Sequence, residues 1–327
     1  MKSLKFVKYI YVAILLTSVI SLPAQQIDTL ERKKILVTSS LDGTTQPSYF
    51  YFPISLQPKK KIPLVVFLHT WSNDLEQRFK SLEVEVAKRG WLLLAPNFRG
   101  RNDQPEACGS RFAQQDVLDA VSWVKKNYAI DKHRVYLVGF SGGGYLTMLM
   151  AALHPKNWAA ASAWCGISDI AKWYALHEND QYGKMMRQCF GGAPGQNDSI
   201  TLQYRNRSPV TYLFKPGKVP LDLAAGRNDS VVPPIHSINA FNALIVASGY
   251  SKISNAEIDR VLRYDSINDR EKPGIFITDS TLGRRIFLRK EEGKYRLTIY
   301  EGKHEWIPEA AMEWIGKYRK KRKIAGL

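Results

Sequence analysis

Residues 134–148 read RVYLVGFSGGGYLTM. Val135 to Val138 have strand character, and an apolar, helix-like run from Tyr145 to Leu153 follows without a linker. Between the two stands one serine, Ser141, among Gly139, Gly142, Gly143 and Gly144. Glycine carries a backbone entropy cost wherever it is held, so this cluster needs a physical reason.

A Gly-X-Ser-X-Gly turn between strand and helix supplies one, the nucleophile elbow. The sharp turn lifts the hydroxyl of Ser141 above a sheet, and Gly139 and Gly143 remove side chains that would strike the flanking elements. The next helix aims its N-terminus at that hydroxyl, where the Gly142 N–H can meet a developing negative oxygen. Ser141 is therefore expected to be a nucleophile.

A serine hydroxyl needs a neighbouring base, and with this elbow the chain order is Ser, acid, His. His154, His177, His236 and His304 follow Ser141. His304 lies in YRLTIYEGKHEWIPEAAMEWI, a strand, a Gly-containing loop and a last helix, which places it at the carboxyl edge of the final strand. His154 ends the helix that carries the serine, His236 opens another helix, and His177 is a rival in a cap. For the acid, VPLDLAAGRNDSVVPP is a strand and loop presenting Asp229; Asp222 sits inside the strand, and Asp169 in CGISDI is the alternative seat. Asp229 would accept a hydrogen bond from the imidazole and stabilise its charged form. The second oxyanion donor should come from the loop after the strand PLVVFLHTWSND; the Trp71 N–H is the candidate and Thr70 the next, with His69 buttressing the loop.

Working outward, strands are expected near Lys34–Thr38, Tyr49–Ile54, Leu64–His69, Trp91–Pro96, Val135–Phe140, Ala159–Cys165, Val219–Ala224 and Tyr295–Tyr300. Helices are expected at Leu75–Lys88, Phe112–Tyr128, Gly142–Leu153, Ile235–Ser248 and Trp306–Lys323. From the third strand the βα alternation predicts an α/β fold with an eight-stranded, mostly parallel sheet and helices on both faces. The first two strands should pair antiparallel. Trp173 to Pro216 reads as a cap over the carboxyl edge. Ser251 to Lys294 reads as an insertion with a short helix, Asn255–Tyr264, and a hairpin arm at Arg285–Arg289.

The chain has 327 residues, 45% hydrophobic and 24% charged, an ordinary globular balance in one catalytic domain from residue 25 to 327. Lys2, Lys5 and Lys8, the apolar run Tyr9–Leu22 and Leu22-Pro23-Ala24 before Gln25 read as a cleavable signal peptide over 1–24, and so as a secreted or periplasmic protein. The formal charge of +17 falls to +14 without those three lysines. The run Lys317–Lys323 carries much of it, but no aromatic-basic interleaving suited to base stacking accompanies it. Nucleic acid is thus not an expected partner, nor is stable membrane insertion after the leader is removed. Three cysteines, Cys108, Cys165 and Cys189, show no zinc spacing. Export permits one bridge, Cys108 with Cys189, both in loop-like sequence; three free thiols are the alternative. No metal or organic cofactor is implied.

With these residues placed, the chain resembles an α/β hydrolase, and within that superfamily the catalytic domain of the prolyl oligopeptidase family of serine peptidases. The resemblance runs from about Leu75 to Ile315. It rests on AKRGWLLLAPNFRGR, DVLDAVSWVKKNYAIDKHRVYLVGFSGGGY, RSPVTYL, AGRNDSVVPP and EGKHEW. It implies the triad Ser141, Asp229 and His304 working through an acyl-enzyme. The chain departs from the family in three ways. Ser141-Gly142-Gly143-Gly144 replaces Ser-Tyr-Gly-Gly, HTW replaces the tyrosine donor of the oxyanion loop, and little sequence precedes the third strand where a β-propeller is usual. The chain is also similar to secreted carbohydrate and feruloyl esterases. On the missing propeller the expectation is a carboxylesterase for carbohydrate-linked or small acyl esters, with a small ester, acylated glycan or short peptide as substrate. Trp164, Trp173 and Trp306, near carboxyl-edge loops, are the expected substrate-binding aromatics. A prolyl oligopeptidase-like peptidase cutting short peptides is the alternative, an inactive hydrolase-fold binding protein the second, and the oligomeric state is open.

Overall fold

The computed structural model describes residues 30–54, 61–215, 217–263 and 279–321. The signal peptide, Pro216, the end of the expected helix at Tyr264 and the end of the basic run lie outside the described residues.

The described residues open with a hairpin of β1 (Leu30–Thr38) and β2 (Thr45–Pro53), paired antiparallel from Thr38↔Thr45 to Leu30↔Pro53. Next come β3 (Ile62–Leu68), α1 (Lys80–Lys88), β4 (Leu92–Pro96), α2 (Arg111–Asn127), β5 (Ile130–Phe140), α3 (Gly142–Leu153) and β6 (Ala160–Trp164). All residues of β3, β4 and β6 are buried, the continuous apolar reading of parallel strands covered on both faces. Helix α2 buries Ala113, Val117, Ala120, Val121 and Val124 at helical spacing, and its N-cap Ser110 Oγ accepts the Ala113 N–H at 3.2 Å. Helix α3 has ten of its twelve residues buried, as an apolar-all-round helix under the middle of a sheet must.

The sheet order is β1-β2-β4-β3-β5-β6-β7-β9-β8. From β3 the chain steps to β4 on one side and then to β5 on the other, so the crossover direction reverses around β3. In open α/β sheets such a reversal opens a crevice at the carboxyl ends of the strands. Here it lies between the loop after β3 and the elbow after β5, set side by side by the register Leu68↔Gly139.

Between β6 and β7 (Leu221–Gly226) the cap consists of α4 (Ile170–His177), α5 (Gln181–Phe190), α6 (Asp198–Arg207) and α7 (Val210–Leu213). After β7 come α8 (Ile235–Ala247), α9 (Asn255–Leu262), β8 (Ile286–Glu292), β9 (Tyr295–Tyr300) and α10 (Pro308–Gly316). Among the described residues the sheet thus has nine strands rather than eight: the hairpin arm pairs antiparallel with β9 from Ile286↔Tyr300 to Glu292↔Tyr295. α10 also stops short of the expected end. Beyond it the chain docks on β5, with Tyr136 Oη donating to the Tyr318 carbonyl at 2.8 Å and Lys320 N–H to the His133 carbonyl at 3.0 Å. Among the described residues no helix is long and apolar enough to cross a membrane.

Candidate active site

Ser141 holds φ 57° and ψ −120°, a left-handed conformation that non-glycine residues seldom adopt, and its side chain is nearly buried. Its N–H donates to the Trp164 carbonyl at 2.8 Å, which fixes the turn to β6. A Cβ on Gly139 would overlap the Gly143 carbonyl, so the strand and helix of the elbow touch backbone to backbone.

The other two residues arrive by the same sheet geometry. β7 and β9 pair parallel through Gly226↔Tyr300, and the loops beyond them are bonded together, Arg227 N–H to the Tyr300 carbonyl at 2.8 Å and Asn228 N–H to the Gly302 carbonyl at 2.9 Å. Asp229 is thereby buried, its Oδ1 accepting the N–H groups of Val231 and Val232, each at 2.9 Å. Its Oδ2 lies 2.7 Å from His304 Nδ1, and His304 Nε2 lies 2.9 Å from Ser141 Oγ. The ring of Phe140 packs 4.7 Å from the imidazole.

The remaining histidines and acids have other partners. Asp222 is buried between Arg296 Nε at 2.8 Å and Ser162 Oγ at 2.6 Å. Asp169 caps α4 by accepting the Lys172 N–H at 3.2 Å. His154 bonds Gln114 Oε1 at 2.8 Å, and His177 bridges Asp180 at 2.6 Å and the Val231 carbonyl at 2.7 Å. His236 is buried against Ser168, and desolvation pulls its pKa down to about 4.

The oxyanion loop closes over the elbow from β3. The Thr70 N–H is spent on Gln77 Oε1 at 2.7 Å, whereas the Trp71 N–H has no protein acceptor among the described residues. A Cβ on Gly142 would overlap the Trp71 backbone nitrogen, so the two candidate donors are immediate neighbours. With the backbone of Trp71 seated on the elbow, position 142 has no room for a side chain. His69 is buried, stacked on Phe98 at 3.8 Å, with Nδ1 3.0 Å from the Thr70 carbonyl and Nε2 2.9 Å from that of Asn97. Burial lowers its pKa, which favours the neutral ring.

The aromatic expectation is corrected. Trp164 and Trp173 are fully buried, their indole N–H groups bonded to Ser162 Oγ at 2.9 Å and the Val231 carbonyl at 2.8 Å. Neither has a face left for a substrate; they anchor β6 and the cap. Trp306 is half-buried, one ring face stacked on Phe67 at 5.7 Å with Phe79 against it at 5.2 Å.

Three features escaped the sequence reading. Cys165, buried with φ 47°, places its thiol within 4.8 Å of ligand atoms of Asp229 and His304, and burial pushes its pKa up. Arg99 forms a buried pair with Asp116 at 2.6 Å and reaches Asp42 at 2.8 Å. Asn102 joins the oxyanion loop to the loop between β4 and α2. The Cys108–Cys189 disulfide is present, tying that loop to α5 of the cap, and Cys165 is free.

A family model described as prolyl oligopeptidase family matches residues 77–257, and the chain belongs to that family. Acylamino-acid-releasing enzyme 1 of Oryza sativa subsp. japonica is 29% identical over 211 residues, 59% of this chain and 26% of that protein. The peptidase YtmA of Bacillus subtilis (strain 168) is 29% identical over 157 residues, 47% of this chain and 58% of that protein. Dipeptidyl-peptidase 5 of Porphyromonas gingivalis is 25% identical over 218 residues, 62% of this chain and 31% of that protein. The chain thus spans from a quarter to little more than half of these relatives. Among solved structures, uncomplexed Pyrococcus horikoshii acylaminoacyl peptidase superimposes with a TM-score of 0.60 at 17% identity, covering 88% of this chain and 40% of that one. Oligopeptidase B from Leishmania major does so at 0.60 and 13%, covering 88% and 35%; both show the α/β-hydrolase fold. The carboxylesterase expectation, with its ester and glycan substrates, is overturned: the matching family and the relatives are peptidases.

Proposed function

We propose that this chain is a serine peptidase that hydrolyses short peptides through an acyl-enzyme on Ser141. The observation that carries the proposal is the continuous chain Asp229 Oδ2, His304 Nδ1, His304 Nε2 and Ser141 Oγ, with links of 2.7 and 2.9 Å. Ser141 Oγ attacks the scissile carbonyl carbon while His304 Nε2 takes its proton, and Asp229 holds the tautomer and stabilises the imidazolium. The carbonyl oxygen becomes an oxyanion between the N–H groups of Gly142 and Trp71. His304 then protonates the leaving amine, and a water deprotonated by the same imidazole releases the acyl product. Of the expected aromatics, Trp306 alone is only partly buried.

The relatives' names point to two peptide classes, N-acylated residues and free N-terminal dipeptides. The test is turnover by residues 25–327 of chromogenic amides of both classes, beside Ser141→Ala. Amide turnover that disappears in the variant supports the proposal; equal rates in the two proteins refute it. We also propose export on the leader-like residues 1–24, a reading with which a Cys108–Cys189 bond accords, since disulfides persist in oxidising compartments. N-terminal sequencing of protein recovered outside the cytoplasm tests it, with Gln25 the expected first residue.

A further inference from the structure

We propose that Asn102 is a positioning residue for the Trp71 amide, anchored through Cys108 and its disulfide to the cap. The inference rests on the reading of Trp71 as an oxyanion donor. Its basis is how the backbone around that donor is held.

A peptide plane is rigid, so the direction of the Trp71 N–H follows from whatever fixes the plane and the residue after it. The plane is shared with the Thr70 carbonyl, which faces His69 Nδ1 at 3.0 Å. On its other side, the Trp71 carbonyl accepts two hydrogen bonds from one residue, the Asn102 backbone N–H at 3.0 Å and Nδ2 at 3.3 Å. Asn102 is 2% exposed, and its Oδ1 accepts the Cys108 N–H at 2.7 Å. One buried amide side chain thus donates to the oxyanion loop and accepts from the loop between β4 and α2. Aspartate lacks the donor, and alanine has neither group.

Cys108 is itself held on three sides. Its N–H is bonded to Asn102, its sulfur to Cys189 in α5, and its carbonyl accepts Tyr145 Oη at 3.0 Å. The Tyr145 ring lies 5.5 Å from that of Trp71. A cap helix, a disulfide, Asn102 and the Trp71 amide therefore form one chain of contacts. A donor that turns away from the oxyanion loses transition-state binding while ground-state binding of the peptide persists, so the loss falls on kcat.

The experiment measures kcat, KM and melting temperature on a chromogenic amide for wild type, Asn102→Ala, Asn102→Asp, Cys189→Ala and the Asn102→Ala/Cys189→Ala double variant. Removing an oxyanion donor outright costs about 10²–10³ in turnover, so a displaced donor should cost about tenfold to hundredfold in kcat for Asn102→Ala, with KM little changed. Asn102→Asp keeps the acceptor for Cys108 but sets a carboxylate oxygen against the Trp71 carbonyl, so it should lose at least as much, and the double variant should lose far less than the product of the single losses. A peptidyl boronic acid should weaken in step with kcat. Unchanged kcat in folded Asn102 variants overturns the positioning role, as does a loss confined to KM. Independent, multiplying losses overturn the link to the disulfide. If Asn102→Ala melts below the assay temperature, Asn102→Asp carries the test. Wild type with no Ser141-dependent turnover would instead refute the peptidase proposal.

Discussion

Two loops meet above the carboxyl edge of the sheet, and they hold unusual backbone by opposite means. The elbow, Gly139 to Gly144, strains only Ser141 and relies on bare backbone contact: side chains are absent where strand, helix and oxyanion loop approach. The loop from Asn97 to Ser110 contains three non-glycine residues at positive φ, Phe98, Arg99 and Cys108, and is held by side chains. Arg99 bonds Asp116 and Asp42, Asn102 bonds Trp71 and Cys108, and Cys108 is bonded to Cys189. A strained turn can thus be fixed by removing atoms or by adding partners, and the two fail differently. The first fails when anything is added, the second when anything is taken away.

The largest effect expected from taking away is Arg99→Met. It leaves Asp116, with its side chain 1% exposed, and Asp42 without their cation, at a cost of about 3–5 kcal/mol in urea unfolding. Adding Asp116→Asn should recover part of that loss; no recovery would mean that packing, not charge, holds the loop. For the elbow, Gly142→Ala adds one carbon that overlaps the Trp71 backbone, and should lower kcat about 10²–10³-fold, about 3–4 kcal/mol in the barrier. If steady-state kinetics show near-normal kcat, the two amides do not share an oxyanion. Cys189→Ala should lower stability by about 2–4 kcal/mol, read as a shift of the denaturant midpoint.

Acid should separate the loops most gently. Arg99 and Thr44 hold the Asp42 carboxyl well below the ordinary carboxylate range. A carboxylate whose pKa is depressed on folding stabilises the fold above its unfolded pKa, and that contribution is lost as pH falls below about 4. Amide protection factors, corrected for the slower intrinsic exchange in acid, should therefore fall at 97–110 before they do at 139–144 as pH drops from about 5 to about 2; the reverse order would contradict the division drawn here.

The same contrast decides what the sequence discloses. The elbow and the hydrogen-bond chain that reaches it were legible because each residue stands in a local pattern, though they meet across 75 and 163 residues: glycines flank a serine, and Asp229 and His304 stand in short loops after recognisable strands. The clamp on Asn97–Ser110 was not, because neither Arg99 nor Asn102 stands in a pattern that names its partner, 57 and 31 residues earlier. Trp164 and Trp173 show a further limit of pattern: a carboxyl-edge position does not say whether an indole faces the cleft or the core. α1 was expected from Leu75 but starts at Lys80, since Gln77 turns its side chain to the Thr70 amide. The hairpin arm was read at Arg285–Arg289 but left out of the strand count, for only its pairing with β9 makes Ile286–Glu292 a ninth strand.

Among the described residues, that ninth strand also sets how the sheet ends. Both outermost strands, β1 and β8, run antiparallel to their neighbours and are dense in charge: Glu31, Arg32, Lys33 and Lys34 on one, Arg289, Lys290, Glu291 and Glu292 on the other. Arg32 lies 3.3 Å over the Tyr49 ring and pairs with Glu76, while Arg289 pairs with Asp279 and Lys290 with Glu257. Another copy adding a strand at either rim would have to desolvate these ions. Among the described residues the two rim strands, nine and seven residues long and so able to template another strand, are thus guarded by charge.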